Sequence, residues 1–138
     1  MRRRTQAREF AMQVLYQMDI THDDCDACLN SFWQGYSDEG IEESIKEFAG
    51  VIVKGVVLNL KALDEKISQY ATNWQLSRMA VVDRNILRMG SFELIFCTDI
   101  PPKVSINEAV DLAKRYSGPE AGKFVNAILD KIKQELKR

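Results

Sequence analysis

Apolar residues in this chain recur every three or four positions from one end to the other, and that period decides what it can fold into. The longest case is Ile41, Ile45, Phe48, Ile52, Val56, Leu60, Leu63, Ile67 and Tyr70, a stripe 30 residues long with no proline inside it. A helix gathers such positions on one face, whereas a strand needs strict alternation, which no segment convincingly offers. One helix of that length would span about 45 Å. Gly50 and Gly55 lie within it as close-packing points or a kink.

The remaining segments read the same way. Ala7, Phe10, Ala11, Val14, Leu15 and Met18 mark a first helix, followed by a loop with His22 and Asp23. Cys25 to Tyr36 forms a second, with Leu29, Phe32 and Trp33 as its apolar side, and "SDEG" ends it. Ser77 is placed to cap a largely apolar helix that reaches about Cys97 and stops at "DIPP". In "VSINEA", Ser105 and Glu108 have the spacing of a capping box, and Val104 with Ala109 that of a hydrophobic staple. This helix runs to about Tyr116, Gly118-Pro119 ends it, and Phe124, Val125, Ile128, Leu129, Ile132 and Leu136 mark the last. A single all-α domain over 1–138 is expected: six or seven helices in two small packed subdomains, approximately 1–72 and 73–138. At 138 residues such a core needs no covalent staples.

Composition excludes several function classes. Three cysteines do not make a disulfide framework, so a reducing, cytoplasmic setting is expected. No apolar run approaches the roughly 20 residues of a membrane span. Glu9, Gln13 and Gln17 interrupt what an export signal would keep apolar. The net charge of −1 conceals a strong asymmetry: residues 1–18 hold four Arg against one Glu, residues 19–47 nine acids against one Lys, and residues 48–138 fourteen bases against ten acids. A partner meets these local fields rather than the total.

Motifs for chemistry are sparse. "CDAC" at Cys25–Cys28 has redox spacing but lacks the βαβ setting, and a four-ligand zinc site would need His22 and Cys97 to converge on it, so both cysteines read as small packing residues. His22 is the only histidine and has no nucleophile motif near it. Phosphate loops, dinucleotide fingerprints and paired-histidine motifs are missing, which argues against an enzyme and against a metal or cofactor. The arginines at the start are the best local signal. A helix N-terminus favours acids, so Arg2, Arg3, Arg4 and Arg8 are better explained by an external anion, and guanidinium forks suit phosphate. Arg4, Arg8, Met12 and Tyr16 follow one another at four-residue spacing, as a ridge beside the apolar face. Tyr70, Trp74 and Phe124 are core residues by default and become interesting only beside positive charge.

Four stretches, "RRRTQAREFAMQVLYQMD", "VVDRNILRMGSFEL", "IPPKVSINEAVDLAKRYS" and "KFVNAILDKI", occur in this order and with close spacing. Together they resemble the NusB family of bacterial transcription antitermination factors, over nearly the whole chain. The resemblance implies two small helical bundles and no catalysis. It implies binding to boxA leader RNA of ribosomal RNA operons, pairing with the small-subunit ribosomal protein NusE, and entry into an antitermination complex on RNA polymerase, with no membrane role. It assigns Arg2, Arg3, Arg4 and Arg8, with Tyr70, Arg88 and Phe124, to the RNA side, and Tyr16, Asp83 and Glu93 to the NusE side. Glu120 is a weaker candidate for tuning RNA affinity. Asn107 and Asn126 are expected to tie neighbouring helices through backbone hydrogen bonds. Two other readings fit the same residues: an RNA-binding module related to the N-terminal domain of ribosomal-RNA cytosine methyltransferases, and a general nucleic-acid-binding scaffold. The lack of a methyl-donor fold up to Arg138 favours the free factor over the first.

Overall fold

A computed structural model describes residues 2–36 and 40–138. Among the described residues it contains seven α-helices, one short 3-10 turn and no strand. The expected break at "SDEG" lies, for residues 37–39, outside the described residues. The chain divides into two compact units, Met1–Leu58 and Asn59–Arg138, ahead of the approximate 72/73 boundary suggested by sequence.

The first unit holds α1 (Arg3–Thr21), α2 (Cys25–Gln34) and α3 (Glu43–Leu58). Helix α1 packs on α3 and α2. Its interior face carries Ala7, Ala11, Val14 and Leu15, and α3 brings Ile45, Ala49, Ile52, Val53 and Val56, all buried. His22 ends α1 in the left-handed conformation, and its N–H donates to the Met18 carbonyl. Asp24 caps α2, its Oδ2 accepting from the Ala27 N–H at 3.2 Å. Phe10, Phe32, Trp33 and Tyr36 form an aromatic cluster with centroids 5.1 to 5.8 Å apart, edge-to-face except for the tilted Phe32–Tyr36 pair.

The second unit holds α4 (Leu60–Tyr70), the turn Leu76–Arg78, α5 (Val81–Phe96), α6 (Pro102–Ser117) and α7 (Pro119–Glu135). Helix α5 is central and packs against α4, α6 and α7. A β-carbon at Gly90 would lie 2.6 Å from Leu129 Cδ1 and 3.5 Å from Ala109 Cβ, so the glycine lets α5 approach both α7 and α6 closely. Gly118, at φ +99°, closes α6 through its N–H to the Lys114 carbonyl, and Pro119 opens α7 immediately after it.

Three sequence expectations are corrected. The 30-residue stripe is not one helix: α3 stops at Leu58, Asn59 leaves helical geometry at φ −112°, ψ 19°, and α4 starts at Leu60. The break falls at neither Gly50 nor Gly55. Asparagine is a poor interior helix former and accepts such a backbone, and the two halves of the stripe serve the interiors of different units. Helix α5 begins at Val81 with extended Ala80 as its cap, not at Ser77, which lies in the 3-10 turn. Finally, α6 begins three residues before Ser105. Proline starts a helix readily because its missing N–H is one that would be unpaired there anyway, so Pro101-Pro102 sets the start. Ser105 is consequently buried inside the helix, where its hydroxyl donates to Glu93 Oε1 at 2.8 Å.

Candidate nucleic-acid interface

The basic start is built on α1 and backed by α3. Arg2 precedes the helix in an extended conformation, and Arg2, Arg3 and Arg4 are all exposed. Arg3 Nε pairs with Glu42 Oε2 at 2.6 Å, with the two side chains 70% and 54% exposed. An ion pair so open to water is worth about 0–1 kcal/mol, so it exchanges readily for another anion. The Arg4 guanidinium lies 4.4 Å above the ring centre of Phe48, and that of Arg8 lies 5.4 Å above the same ring. A guanidinium over a ring face keeps its in-plane N–H donors for an oxygen anion. Arg3, Arg4, Ser44, Glu47, Phe48 and Val51 line a surface cavity of about 400 Å³.

Arg8 departs from expectation. It is only 3% exposed and is held within the unit, not offered to solvent. At 100° per residue it projects between Ala11 and Met12 on the helical wheel, inside the buried arc, and the supposed ridge runs into the interior before Tyr16 emerges at 40% exposure. Phe48, the ring beneath both guanidiniums, is by its spacing one more residue of the apolar stripe, and nothing local marks it as a seat for arginines.

In the second unit, Tyr70 closes α4 and its hydroxyl donates to Glu135 Oε1 at 2.6 Å. Gln69 Nε2 donates to the same oxygen at 3.2 Å, and Lys66 Nζ pairs with Oε2 at 2.6 Å. The bond to Glu135, followed by burial, pushes the Tyr70 phenol above its usual range; Lys66 first and Tyr70 second hold the Glu135 carboxyl below its own. Phe124 meets Trp74 edge-to-face at 6.4 Å, and Trp74 is 57% exposed. The pair lines a cavity of about 360 Å³ together with Arg78, Asp83 and Glu120, so these rings do lie beside a positive charge. Asp83 sits in the first turn of α5, and its Oδ1 is buried with no hydrogen-bond partner among the described residues. Glu120 is exposed beside Lys123 at 3.5 Å.

Arg88 is mostly withdrawn from solvent, its side chain 11% exposed, and Glu93 is fully buried. Arg88 grips Asp64 with a two-pronged fork, Nε to Oδ1 at 2.8 Å and Nη2 to Oδ2 at 3.0 Å, and its Nη1 donates to Asn85 Oδ1 at 3.2 Å. Glu93, expected to face a partner, is 2% exposed and accepts from Ser105. Helix α5 is covered on several sides, and Arg88 and Glu93 are drawn inward with their partners. Asn107 and Asn126, expected as helix ties, are exposed. Cys28 is buried and Cys25 partly so; burial first and neighbouring acids next push both thiols up, away from reactivity. No group of three His, Cys, Asp or Glu among the described residues is arranged to hold a metal, and no described helix is long and apolar enough to cross a membrane.

The model of the NusB family matches residues 5–134. The chain belongs to the NusB family. A relative named transcription antitermination protein NusB, from Anaeromyxobacter dehalogenans strain 2CP-1, is 47% identical over 130 residues, covering 94% of this chain and 89% of its own length. The namesake from Pelotomaculum thermopropionicum is 44% identical over 129 residues, covering 94% of this chain and 88% of its own. Among solved structures, NusB of T. maritima superposes with a TM-score of 0.87 at 39% identity, covering 96% of this chain and 91% of that one. A crystal structure of antitermination factors NusB and NusE in complex with double-stranded RNA gives 0.84 at 32% identity, covering 98% of each chain. The described residues are all-helical and superpose on NusB structures, in line with the resemblance carried by the four motifs.

Proposed function

We propose that this chain is a transcription antitermination factor that binds boxA-type leader RNA of ribosomal RNA operons together with NusE, and so helps to assemble an antitermination complex on RNA polymerase. The carrying observation is its likeness, over 98% of its length, to the NusB chain of a structure holding NusE and RNA. Its work is recruitment without catalysis, and its place is the cytoplasm, where transcription occurs.

The side chains divide the task by exposure. Arg2, Arg3 and Arg4 are accessible cations for phosphates, with Arg3 exchanging Glu42 for an RNA oxygen. Arg8 and Arg88 act as positioning residues, the first beneath the basic start and the second holding α4 to α5. Phe124, with Trp74 beside it, offers ring faces for unpaired bases, and Tyr70 a polar aromatic edge. Tyr16 and Asp83 are assigned to NusE. Asp83 lines the surface cavity beside Arg78, where a partner can approach it. Glu93 acts from within the second unit, where it accepts from Ser105.

The test is a titration of boxA-type RNA and a scrambled RNA, with and without NusE. Sequence-selective binding that tightens with NusE is expected. Equal, salt-sensitive binding of both RNAs would replace this reading with a general nucleic-acid scaffold.

A further inference from the structure

We propose that Lys66, Gln69 and Tyr70 form a phosphate-binding site for the RNA backbone, and that Glu135 occupies this site as an internal anion which RNA displaces. The inference rests on the RNA-binding reading above and adds a site to it. Three donors of different chemistry, from the last two turns of α4, converge on one carboxylate of α7: an ammonium at 2.6 Å, a phenol at 2.6 Å and an amide at 3.2 Å. A phosphodiester presents the same single negative charge on two oxygens, so a donor set that holds the one accommodates the other.

The site is reachable. Lys66 and Glu135 keep 29% and 31% of their side-chain surface, and Gln69 is exposed. An ion pair that keeps this much surface can exchange its anion for one from outside. Glu135 is also the last residue of α7, where the carbonyl end of the helix disfavours negative charge, so the acid does nothing for the helix that carries it.

Its placement connects it to the aromatic pair. Phe124 and Glu135 are eleven residues apart on α7, which brings them to the same face about 16 Å apart along the axis. Tyr70 bonds at the Glu135 end and Trp74 meets Phe124 at the other, so residues 70–74 run along that face. A cationic pocket and a pair of rings on one surface are what a single strand requires.

The experiment titrates boxA-type RNA, over a series of salt concentrations, against the full chain, Glu135→Gln, and Glu135→Gln combined with Lys66→Gln. Glutamine keeps an acceptor for Tyr70, and a melting curve for each variant verifies folding. Glu135→Gln should tighten RNA binding about two- to fivefold and steepen the salt slope by about 0.7. Adding Lys66→Gln should remove both gains. If Glu135→Gln changes neither quantity while Arg3→Ala with Arg4→Ala still loses affinity, the cluster is only a tie between α4 and α7 and the RNA-binding reading stands. If Glu135→Gln gains affinity for inorganic phosphate but not for RNA, the site takes a small anion and the RNA assignment is overturned. If the unaltered chain binds no RNA, that reading falls and this proposal with it.

Discussion

Arg4 and Arg8 lie one helical turn apart and sit over the same phenylalanine, yet only Arg4 remains accessible. Their substitutions should therefore separate. Arg4→Ala is expected to weaken RNA binding and to lower its salt dependence, with a thermal midpoint close to that of the unaltered chain, because an exposed cation adds little to stability. Arg8→Ala is expected to cost about 1–3 kcal/mol in a denaturant titration, through lost packing and lost partners of a buried side chain. Equal stability of the two variants would refute the distinction. Ser105 offers a comparable case. A capping serine is replaced by aspartate at little cost, whereas here Ser105→Asp would set a second carboxylate against buried Glu93. Severe destabilisation of Ser105→Asp, read by the same titration, is the expected result, and a near-neutral effect would restore the capping role.

The helices show how far periodicity carries. It located α1, α2 and α7 because each carries one apolar arc of its own. It joined α3 to α4 because both arcs share a phase, and only the division of the chain into two units reveals that they face different interiors. It gave Ser105 and Glu108 a capping role because the spacing was right, while Pro101-Pro102 had already fixed the helix start. The tie between α4 and α7 yields a prediction in pH. Glu135 is held below its usual value, so its contribution to stability is present above the unfolded carboxyl range and lost as pH falls through the folded value. Tyr70 is held above its own, so its contribution is complete below the unfolded phenol range and lost as pH rises through the folded value. The stability difference between the unaltered chain and Glu135→Gln, followed by denaturant titration across pH, should accordingly shrink on the acid side; a difference that is constant with pH would contradict the tie. At the α6–α7 junction, Gly118→Ala should cost about 1–2 kcal/mol, since φ +99° strains any side chain.

For the whole molecule, binding of RNA and of NusE must be linked equally in both directions if both meet the same protein. Asp83→Lys should weaken NusE binding more than it weakens RNA binding by the chain alone, because the family resemblance assigns Asp83 to the protein partner. Equal losses in the two titrations would move Asp83 to the RNA side. The sequence alone determined that this chain is all-α in class, that its densest run of positive charge lies at its start, and which family it belongs to. Those properties follow from residue order along the chain: the apolar period, the local charge and the ordered motifs. Tertiary structure decided which charged residues meet solvent. Arg2, Arg3 and Arg4 do, while Arg8 stacks over Phe48, Arg88 grips Asp64 and Glu93 receives Ser105. Local sequence carries no record of that choice, because each buried group is retained by a partner distant in the chain, and the cost of burying it is met only once that partner is in place.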